Sequence, residues 1–180
     1  TKEVVESLLD FAEKISKTSF LQKGKDAFAI NRFFLEIQSE LFNYCTNRKI
    51  PYNKADQAIK KTLFPIGIFE TMDIIGFRIL EYSISNYINL HDNPQQIHPL
   101  LSFIKDKMKD DKMGLISKEG FLTYPLENLS VTDKEIEEMS NFAKNILAKT
   151  ADNYINNGFF KNKEEVEIVI SEYTSSDFRF

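Results

Sequence analysis

Few side chains in this sequence have the type and spacing that catalysis or metal binding requires. Neither His91 nor His98 has a second ligand or a carboxylate at a suitable spacing. The single cysteine, Cys45, falls within an apolar helical face, which predicts a buried, inert thiol and excludes an internal disulfide. Asn31 lies in the first turns of a predicted helix, at the edge of its apolar face. Its amide can hydrogen-bond a ligand, or it can act as a local cap or an interface contact, and the residues alone leave both open.

Length and charge narrow the class of protein. The 180 residues give room for one domain with a substantial core or two small ones, and the sixteen phenylalanines predict a core rich in that residue. The net charge of −4 is spread along the chain, so no basic face indicates nucleic acid or an anionic membrane as a partner. No apolar run approaches the roughly 20 residues of a membrane span, and the sequence shows no signal peptide. We therefore expect a cytoplasmic location.

Apolar residues recur at helical spacing through most of the chain, which predicts an all-α fold. The predicted helices cover residues 2–17, 27–48, 53–63, 69–90, a stretch that starts at Pro99, a stretch that follows Thr132 and a short segment after Asn162. A short strand is predicted near residues 19–22, between the first two helices. One helix and one strand cannot form a sheet alone, so residues 1–25 are predicted to be the end of a preceding domain.

Several residues have the spacing of helix caps. Gly158 is typical of a C-terminal cap. Three pairs are predicted to cap the starts of helices by reciprocal hydrogen bonds: Thr132 with Glu135, Asn53 with Asp56, and Asn162 with Glu165.

The segment between residues 63 and 77 combines a chain break with a strongly apolar helix start. Pro65 restricts Phe64 to non-helical backbone angles, and Gly67 permits a turn that other residues resist. From Phe69 the helical period predicts one continuous helix that ends near Leu90. Its predicted shared face consists of Phe69, Met72, Gly76, Ile79, Ser83 and Tyr87.

The sequence also indicates an internal repeat. An offset of 109 positions places Asn162 over Asn53, and Ile146 over Ile37. The helix–cap–helix unit of residues 27–63 is thus predicted to recur at residues 136–171. Two unrelated helical hairpins with generic caps are the alternative interpretation.

Three motifs resemble segments of one enzyme family. Residues 27–32, AFAINR, are similar to the G-F-x-x-N-R that opens the C-terminal domain of 3-hydroxyacyl-CoA dehydrogenases. Residues 64–76 resemble the family's F-P-x-G-x-F-E-x-x-D-x-x-G, and residues 113–124 resemble its L-G-x-K-T-G-x-G-F-Y-x-Y. Several positions depart from these patterns: Ala27 stands in place of Gly, Ile68 in place of Pro, and Leu115, Ile116 and Lys118 in place of Arg, Lys and Gly.

The resemblance implies a specific domain organisation. Residues 1–25 would be the tail of an NAD-binding Rossmann domain, with a residual helix and strand. Residues 26–125 would be the dehydrogenase C-terminal domain, an all-α unit like the C-terminal domain of 6-phosphogluconate dehydrogenase. Residues 131–180 would be a truncated second copy, as in longer, multifunctional members.

The resemblance also implies a reaction, NAD-dependent oxidation of a 3-hydroxyacyl-CoA to a 3-ketoacyl-CoA in fatty-acid β-oxidation. It gives Asn31 a catalytic role as a hydrogen-bond donor to substrate, and it places Pro65 and Gly67 in the substrate-binding region. No G-x-G-x-x-G turn occurs in this sequence, and neither histidine stands in the family's base motif. We therefore expect that this chain alone neither binds NAD nor turns over substrate.

The partners implied by the resemblance are the 3-hydroxyacyl-CoA substrate, the Rossmann domain, and either a second chain in a homodimer or the second copy in an intramolecular pseudo-dimer. The opposing hypothesis is a non-catalytic helical oligomerisation or interaction module that keeps the fold and has lost the reaction. Substitutions in the third motif and the shortened repeat favour that hypothesis.

Overall fold

The computed structural model describes residues 1–17, 19, 21, 28–90, 93–171 and 173–174. Within that part the chain is helical, and pairing between extended residues is limited to isolated bridges at Gly114, Glu119 and Thr123. The predicted all-α fold is confirmed. The helices are α1 (Lys2–Lys14), α2 (Ala29–Arg48), α3 (Tyr52–Lys60), α4 (Ile68–Ile75), α5 (Phe77–Tyr87), α6 (Pro94–Lys109), α7 (Asp133–Asn156) and α8 (Lys163–Ser171).

Helix α2 is the centre of the fold, because α3, α4, α6 and α7 all contact it. Its apolar face is wide, and its buried residues include Phe33, Ile37, Leu41, Phe42 and Cys45. The predicted burial of the cysteine is confirmed, since Cys45 is 0% exposed. Loss of solvent raises the pKa of its thiol to about 12, which keeps the group protonated and unreactive.

The predicted phenylalanine-rich core is present and centres on Phe121, in the loop that follows α6. The rings of Phe103 and Phe121 stack with centroids 4.9 Å apart. Phe77 and Phe69 approach the same ring at 5.1 Å and 5.5 Å. The loop is therefore anchored in the core by an aromatic residue, and burial of these rings contributes to its fixed position.

The prediction of one continuous helix from Phe69 to Leu90 is wrong. The helix ends at Ile75, Gly76 adopts φ 85° and ψ 144°, and α5 starts at Phe77. This break rotates the second half, so that Phe77, Leu80 and Ile84 are buried. The predicted core position Ile79 is instead 61% exposed.

Most predicted caps are confirmed. Thr132 and Glu135 form a capping box, and Gly158 has φ 75° just beyond the end of α7. The pair of Asn162 and Glu165 is confirmed in part: Asn162 Oδ1 accepts a hydrogen bond from the N–H of Glu165, but the Glu165 carboxylate accepts the N–H of Lys161, one residue before the predicted donor.

Two predictions about helix starts are wrong. Asn53 lies inside α3 rather than at its cap, since Pro51 precedes the first helical residue, and Asn53 donates to the carbonyl of Glu127. Pro99 is not at the start of its helix, because α6 begins at Pro94. In both cases a proline ahead of the predicted residue starts the helix.

Helix α1 contains no buried residue. Its apolar side chains Val4, Leu8 and Phe11 are all more than half exposed. The strand predicted near residues 19–22 falls largely outside the described residues, so the Rossmann remnant stays a prediction.

Within the described ranges no helix is long and apolar enough to cross a membrane. The same residues contain no cluster of three or more His, Cys, Asp or Glu side chains that could hold a metal ion.

Candidate functional site

A groove runs between α2 on one side and α4 and α5 on the other. It has a volume of about 320 Å³, within the size range of small-molecule sites. Its walls are mainly apolar, and the residues that line it are Asn31, Phe34, Leu35, Gln38, Thr71, Ile75, Ile79, Leu80, Ser83, Ile84 and Tyr87.

Asn31 is exposed in the first turn of α2 and lines this groove. Its backbone N–H donates to the carbonyl of Phe28 at 2.9 Å, so its place in the helix start is fixed by the main chain. Among the described residues its side-chain amide has no hydrogen-bond partner. The amide is therefore not used as a local cap, and it is available to a group that enters the groove.

A second amide in the groove was not identified from the sequence. Gln38 lies seven residues after Asn31 on α2, lines the same groove and is only 5% exposed. No side chain or backbone group in the described part of the chain hydrogen-bonds its side chain. No sequence signal singled it out, because three polar residues, Gln38, Ser39 and Glu40, lie between Ile37 and Leu41.

The start of α4, which carries part of the groove wall, is held by a carboxylate from α3. Asp56 is 2% exposed and accepts the N–H of Phe69 at 3.0 Å and the N–H of Glu70 at 2.7 Å. Thus Asp56 caps α4 instead of pairing with Asn53 as predicted. Burial raises the pKa of Asp56 to about 7, while the two backbone N–H donors act to lower it.

This contact explains the glycine of the second motif. A Cβ added at Gly67 would lie 2.2 Å from Cγ of Asp56. Gly67 has φ −63° and ψ 154°, angles that any residue adopts. It was predicted to permit an unusual turn, but the structure shows that the absence of a side chain at Gly67 makes room for the Asp56 carboxylate.

A second buried carboxylate holds the third motif. Asp73 on α4 is 1% exposed and accepts the N–H groups of Phe121 and Leu122 at 2.8 Å and 2.9 Å. The hydroxyl of Tyr124 donates to the same carboxylate at 3.1 Å. Burial raises the pKa of the Tyr124 hydroxyl, and the Asp73 charge raises it further, so the hydroxyl stays protonated and remains a donor.

Loss of solvent also raises the pKa of Asp73, against the lowering effect of its three donors. A Cβ at Gly120 would lie 2.1 Å from Oδ1 of Asp73, so the third motif needs glycine there for the same reason as Gly67. Asp56 and Asp73 therefore fix both motifs relative to α4, and through it the far wall of the groove.

The other predicted substrate-binding residues lie apart from Asn31. Pro65 is exposed and Gly67 is buried beneath Asp56, and neither is among the residues that line the groove. Their role in substrate binding stays a prediction. His98, which the sequence left without a role, is exposed on α6.

Comparison with protein families identifies the family to which this helical domain belongs. A model of the 3-hydroxyacyl-CoA dehydrogenase C-terminal domain matches residues 28–124, more than half of the 180 residues. The chain belongs to the 3-hydroxyacyl-CoA dehydrogenase family. The match begins just before α2 and ends at Tyr124, so it covers the groove, both buried aspartates and all three motifs except Ala27, the first residue of the first motif.

Curated relatives are multifunctional proteins of β-oxidation. The glyoxysomal fatty acid beta-oxidation multifunctional protein MFP-a is 26% identical over 151 residues in Brassica napus, covering 83% of this chain and 20% of the relative. The Cucumis sativus protein of that name is 25% identical over 151 residues, with the same coverage. The peroxisomal fatty acid beta-oxidation multifunctional protein MFP2 of Arabidopsis thaliana is 27% identical over 146 residues, 80% of this chain and 19% of the relative.

This dehydrogenase-family chain spans about a fifth of the length of those relatives. A search of the solved structures gave no significant match. The relatives' names place those proteins in glyoxysomes and peroxisomes, whereas the cytoplasmic location expected for this chain stays a prediction.

Proposed function

We propose that this chain forms the substrate-side wall of an NAD-dependent 3-hydroxyacyl-CoA dehydrogenase that acts in fatty-acid β-oxidation. The observation that carries the proposal is the amide of Asn31, which has no hydrogen-bond partner among the described residues and lies at an apolar groove, within the N-R of the first motif. The wall beside it is exposed and apolar at Ile75 and Ile79, which suits a cleft that a neighbouring domain completes.

In this proposal Asn31 donates a hydrogen bond to the oxygen on C3 of the substrate. That oxygen changes from hydroxyl to carbonyl during the reaction, and a fixed donor stabilises the charge that develops on it. NAD, when bound to the parent enzyme, supplies the hydride acceptor. The sequence contains no dinucleotide-binding glycine turn, so the proposal assigns the cofactor and the histidine base to a Rossmann domain outside this chain.

We also propose that α7 and α8 are a second copy of α2 and α3, packed as an intramolecular pseudo-dimer. Lys49 and Gly158, 109 positions apart, both follow long helices and have positive φ of 57° and 75°. The N–H of Ile50 bonds the carbonyl of Cys45 at 2.9 Å, and the N–H of Phe159 bonds that of Tyr154 at 2.9 Å. Two long helices thus end with the same hydrogen bond at the repeat spacing.

One contact between the two proposed copies lies where a twofold axis would pass. Glu40 of α2 and Lys149 of α7 form an ion pair at 3.6 Å, and they too are 109 positions apart. Equivalent residues meet only at the axis of an isologous interface, so this pair supports the pseudo-dimer proposal.

The catalytic proposal is tested with Asn31→Ala in the full-length natural protein, with NADH formation from 3-hydroxybutyryl-CoA as the measurement. Loss of a donor to a developing oxyanion should lower kcat by about 100-fold or more. Asn86→Ala, at an exposed position on α5 outside the groove, is the matched control and should leave turnover unchanged. Unchanged turnover in Asn31→Ala would contradict the catalytic role.

The isolated chain provides a second test. We expect no NADH formation from 3-hydroxybutyryl-CoA by this chain alone, because it lacks the phosphate-binding turn and the base. Detectable turnover would show that the assignment of the cofactor to another domain is wrong.

The non-catalytic module has one observation in its favour. Ile116 is 88% exposed in the third-motif loop, at a position where the family pattern has a lysine. An exposed isoleucine beside the exposed Leu115 suits a protein contact better than a substrate loop. Full-length protein that forms no NADH from any 3-hydroxyacyl-CoA would favour this function.

A further inference from the structure

We infer that Gln38 is a specificity-determining residue of the groove, and that its amide hydrogen-bonds the first amide of the pantetheine arm of an acyl-CoA substrate. The inference rests on the proposed function, since it takes Asn31 as the residue that contacts the oxygen on C3.

The first argument is the cost of an unpaired amide. Gln38 is 5% exposed, its neighbours on the groove wall include Leu35, Leu80 and Ile84, and it has no partner in the described part of the chain. Buried polar side chains are nearly always hydrogen-bonded, because an unsatisfied one destabilises the fold. A groove-lining amide that is left unpaired is therefore available to a ligand.

The second argument is distance. Gln38 follows Asn31 by seven residues on one helix, which separates their backbones by about 10 Å along the axis. In a 3-hydroxyacyl thioester of pantetheine, about seven bonds lead from the oxygen on C3 through the thioester to the first amide nitrogen, or about 9 Å when extended. A substrate that contacts Asn31 with its C3 oxygen can thus reach Gln38 with this amide.

The third argument distinguishes the two arms of the substrate. An acyl chain placed over Gln38 would displace the water that still reaches the glutamine amide and would form no hydrogen bond with it, which is unfavourable. An amide of pantetheine has one donor and one acceptor, and the glutamine amide has both in complementary positions. The methylenes on either side of that amide suit the isoleucine and leucine side chains of the wall. The pantetheine arm therefore fits the groove better than the acyl chain does.

The test compares two small thioesters of 3-hydroxybutyrate in the full-length protein. The N-acetylcysteamine thioester keeps the first pantetheine amide, whereas the S-pentyl thioester has the same length without it. In the wild type we expect a higher kcat/KM with the N-acetylcysteamine thioester. Gln38→Met, which keeps the shape of the side chain, should reduce that preference by about 3- to 10-fold, the range for one neutral hydrogen bond. Asn31→Ala should reduce turnover of both thioesters alike.

The thermal midpoint distinguishes a ligand-binding role of Gln38 from a structural one, because replacing a structural residue should lower the midpoint. Because Gln38 has no hydrogen-bond partner in the described part of the chain, Gln38→Met should raise the thermal midpoint by about 2–4 °C. Gln57→Met is the matched control: Gln57 hydrogen-bonds Asn53 and the carbonyl of Glu127, so its replacement should lower the midpoint and leave the thioester preference unchanged.

An unchanged thioester preference in Gln38→Met, whether activity with both thioesters stays the same or falls equally, would overturn the inference and leave the proposed function intact. A midpoint that falls as in Gln57→Met would do the same. The inference would also be overturned if Gln38→Met changed the preference between substrates of different acyl length and left the preference for the amide unchanged. A full-length wild-type protein that forms no NADH with either thioester or with 3-hydroxybutyryl-CoA would contradict both the proposed function and the inference that rests on it.

Discussion

At the scale of single residues, two buried carboxylates explain why the second and third motifs contain glycine. Asp56 occupies the space beside Gly67, and Asp73 occupies the space beside Gly120. Each carboxylate accepts at least two backbone N–H groups from a segment remote in sequence. The aspartates and glycines of the motifs are therefore parts of one positioning device, and the groove depends on it for its shape.

Replacement of Asp73 by asparagine should show how strongly this device holds the third motif. The asparagine amide has one acceptor oxygen in place of two, so its NH₂ group would face a backbone N–H or the Tyr124 hydroxyl. We expect Asp73→Asn to lower the free energy of unfolding by about 2–4 kcal/mol, measured by urea denaturation. Asp106→Asn, at an exposed position on α6, is the control and should change stability by less than about 0.5 kcal/mol.

A substitution at Lys118 tests the conformation of the same loop, and here we expect an increase in stability instead of a loss. It has φ 60° and ψ 12°, in the left-handed region, where the family pattern has glycine. Lys118→Gly should raise the free energy of unfolding by about 0.5–1 kcal/mol, because glycine adopts this conformation without steric cost. In contrast, Lys61→Gly, at φ −73°, should lower it by a similar amount. A loss of stability in Lys118→Gly would show that the loop differs from the one described.

At the scale of elements, the break at Gly76 decides which side chains of α5 enter the core. Its φ of 85° with ψ 144° is a conformation that essentially only glycine adopts. Gly76→Ala should therefore lower the free energy of unfolding by about 1–3 kcal/mol in urea denaturation. A continuous helix predicts the opposite, a gain of about 1 kcal/mol, since alanine is the better helix former.

The control for Gly76 is Gly158→Ala. Gly158 also has positive φ, but a Cβ added there would have no atom of the described residues within 4 Å, apart from its own chain neighbours. Its place after the end of α7 is an ordinary left-handed cap, so the expected loss is only about 1 kcal/mol.

The elements show which features the sequence could predict. Local signals were sufficient for the all-α class, the start of α7 at Thr132 and the cap at Gly158, because each depends on neighbours within a few residues. Asp56 was assigned to the wrong helix because its partners lie 13 and 14 positions away. The break at Gly76 was missed because the apolar period continues across it. The motif identified Asn31 as a candidate, whereas the lack of a partner for Gln38 among the described residues depends on packing of α2 against α4 and α5.

At the scale of the whole molecule, α2 is covered on one side by α6 and on another by α7. Two aromatic pairs join α2 to α7: the ring of Phe33 lies 5.1 Å from that of Tyr154, and Tyr44 stacks on Phe142 at 4.0 Å. In the pseudo-dimer proposal this face of α2 is the surface that a single-copy member of the family would present to a second chain.

Removal of the proposed second copy should therefore turn an internal contact into one between molecules. Without α7 and α8, residues 1–130 would expose Phe33 and Ile37, which are 2% and 1% exposed in the whole chain. An apolar face of this kind favours self-association, so we expect a dimer by sedimentation equilibrium, with helical circular dichroism retained. Ile37→Glu in the shortened chain is the control and should give a helical monomer, because it places a charge on the exposed face. A shortened chain that is folded and monomeric without that substitution would contradict the pseudo-dimer, since the face would then have no affinity for its own copy.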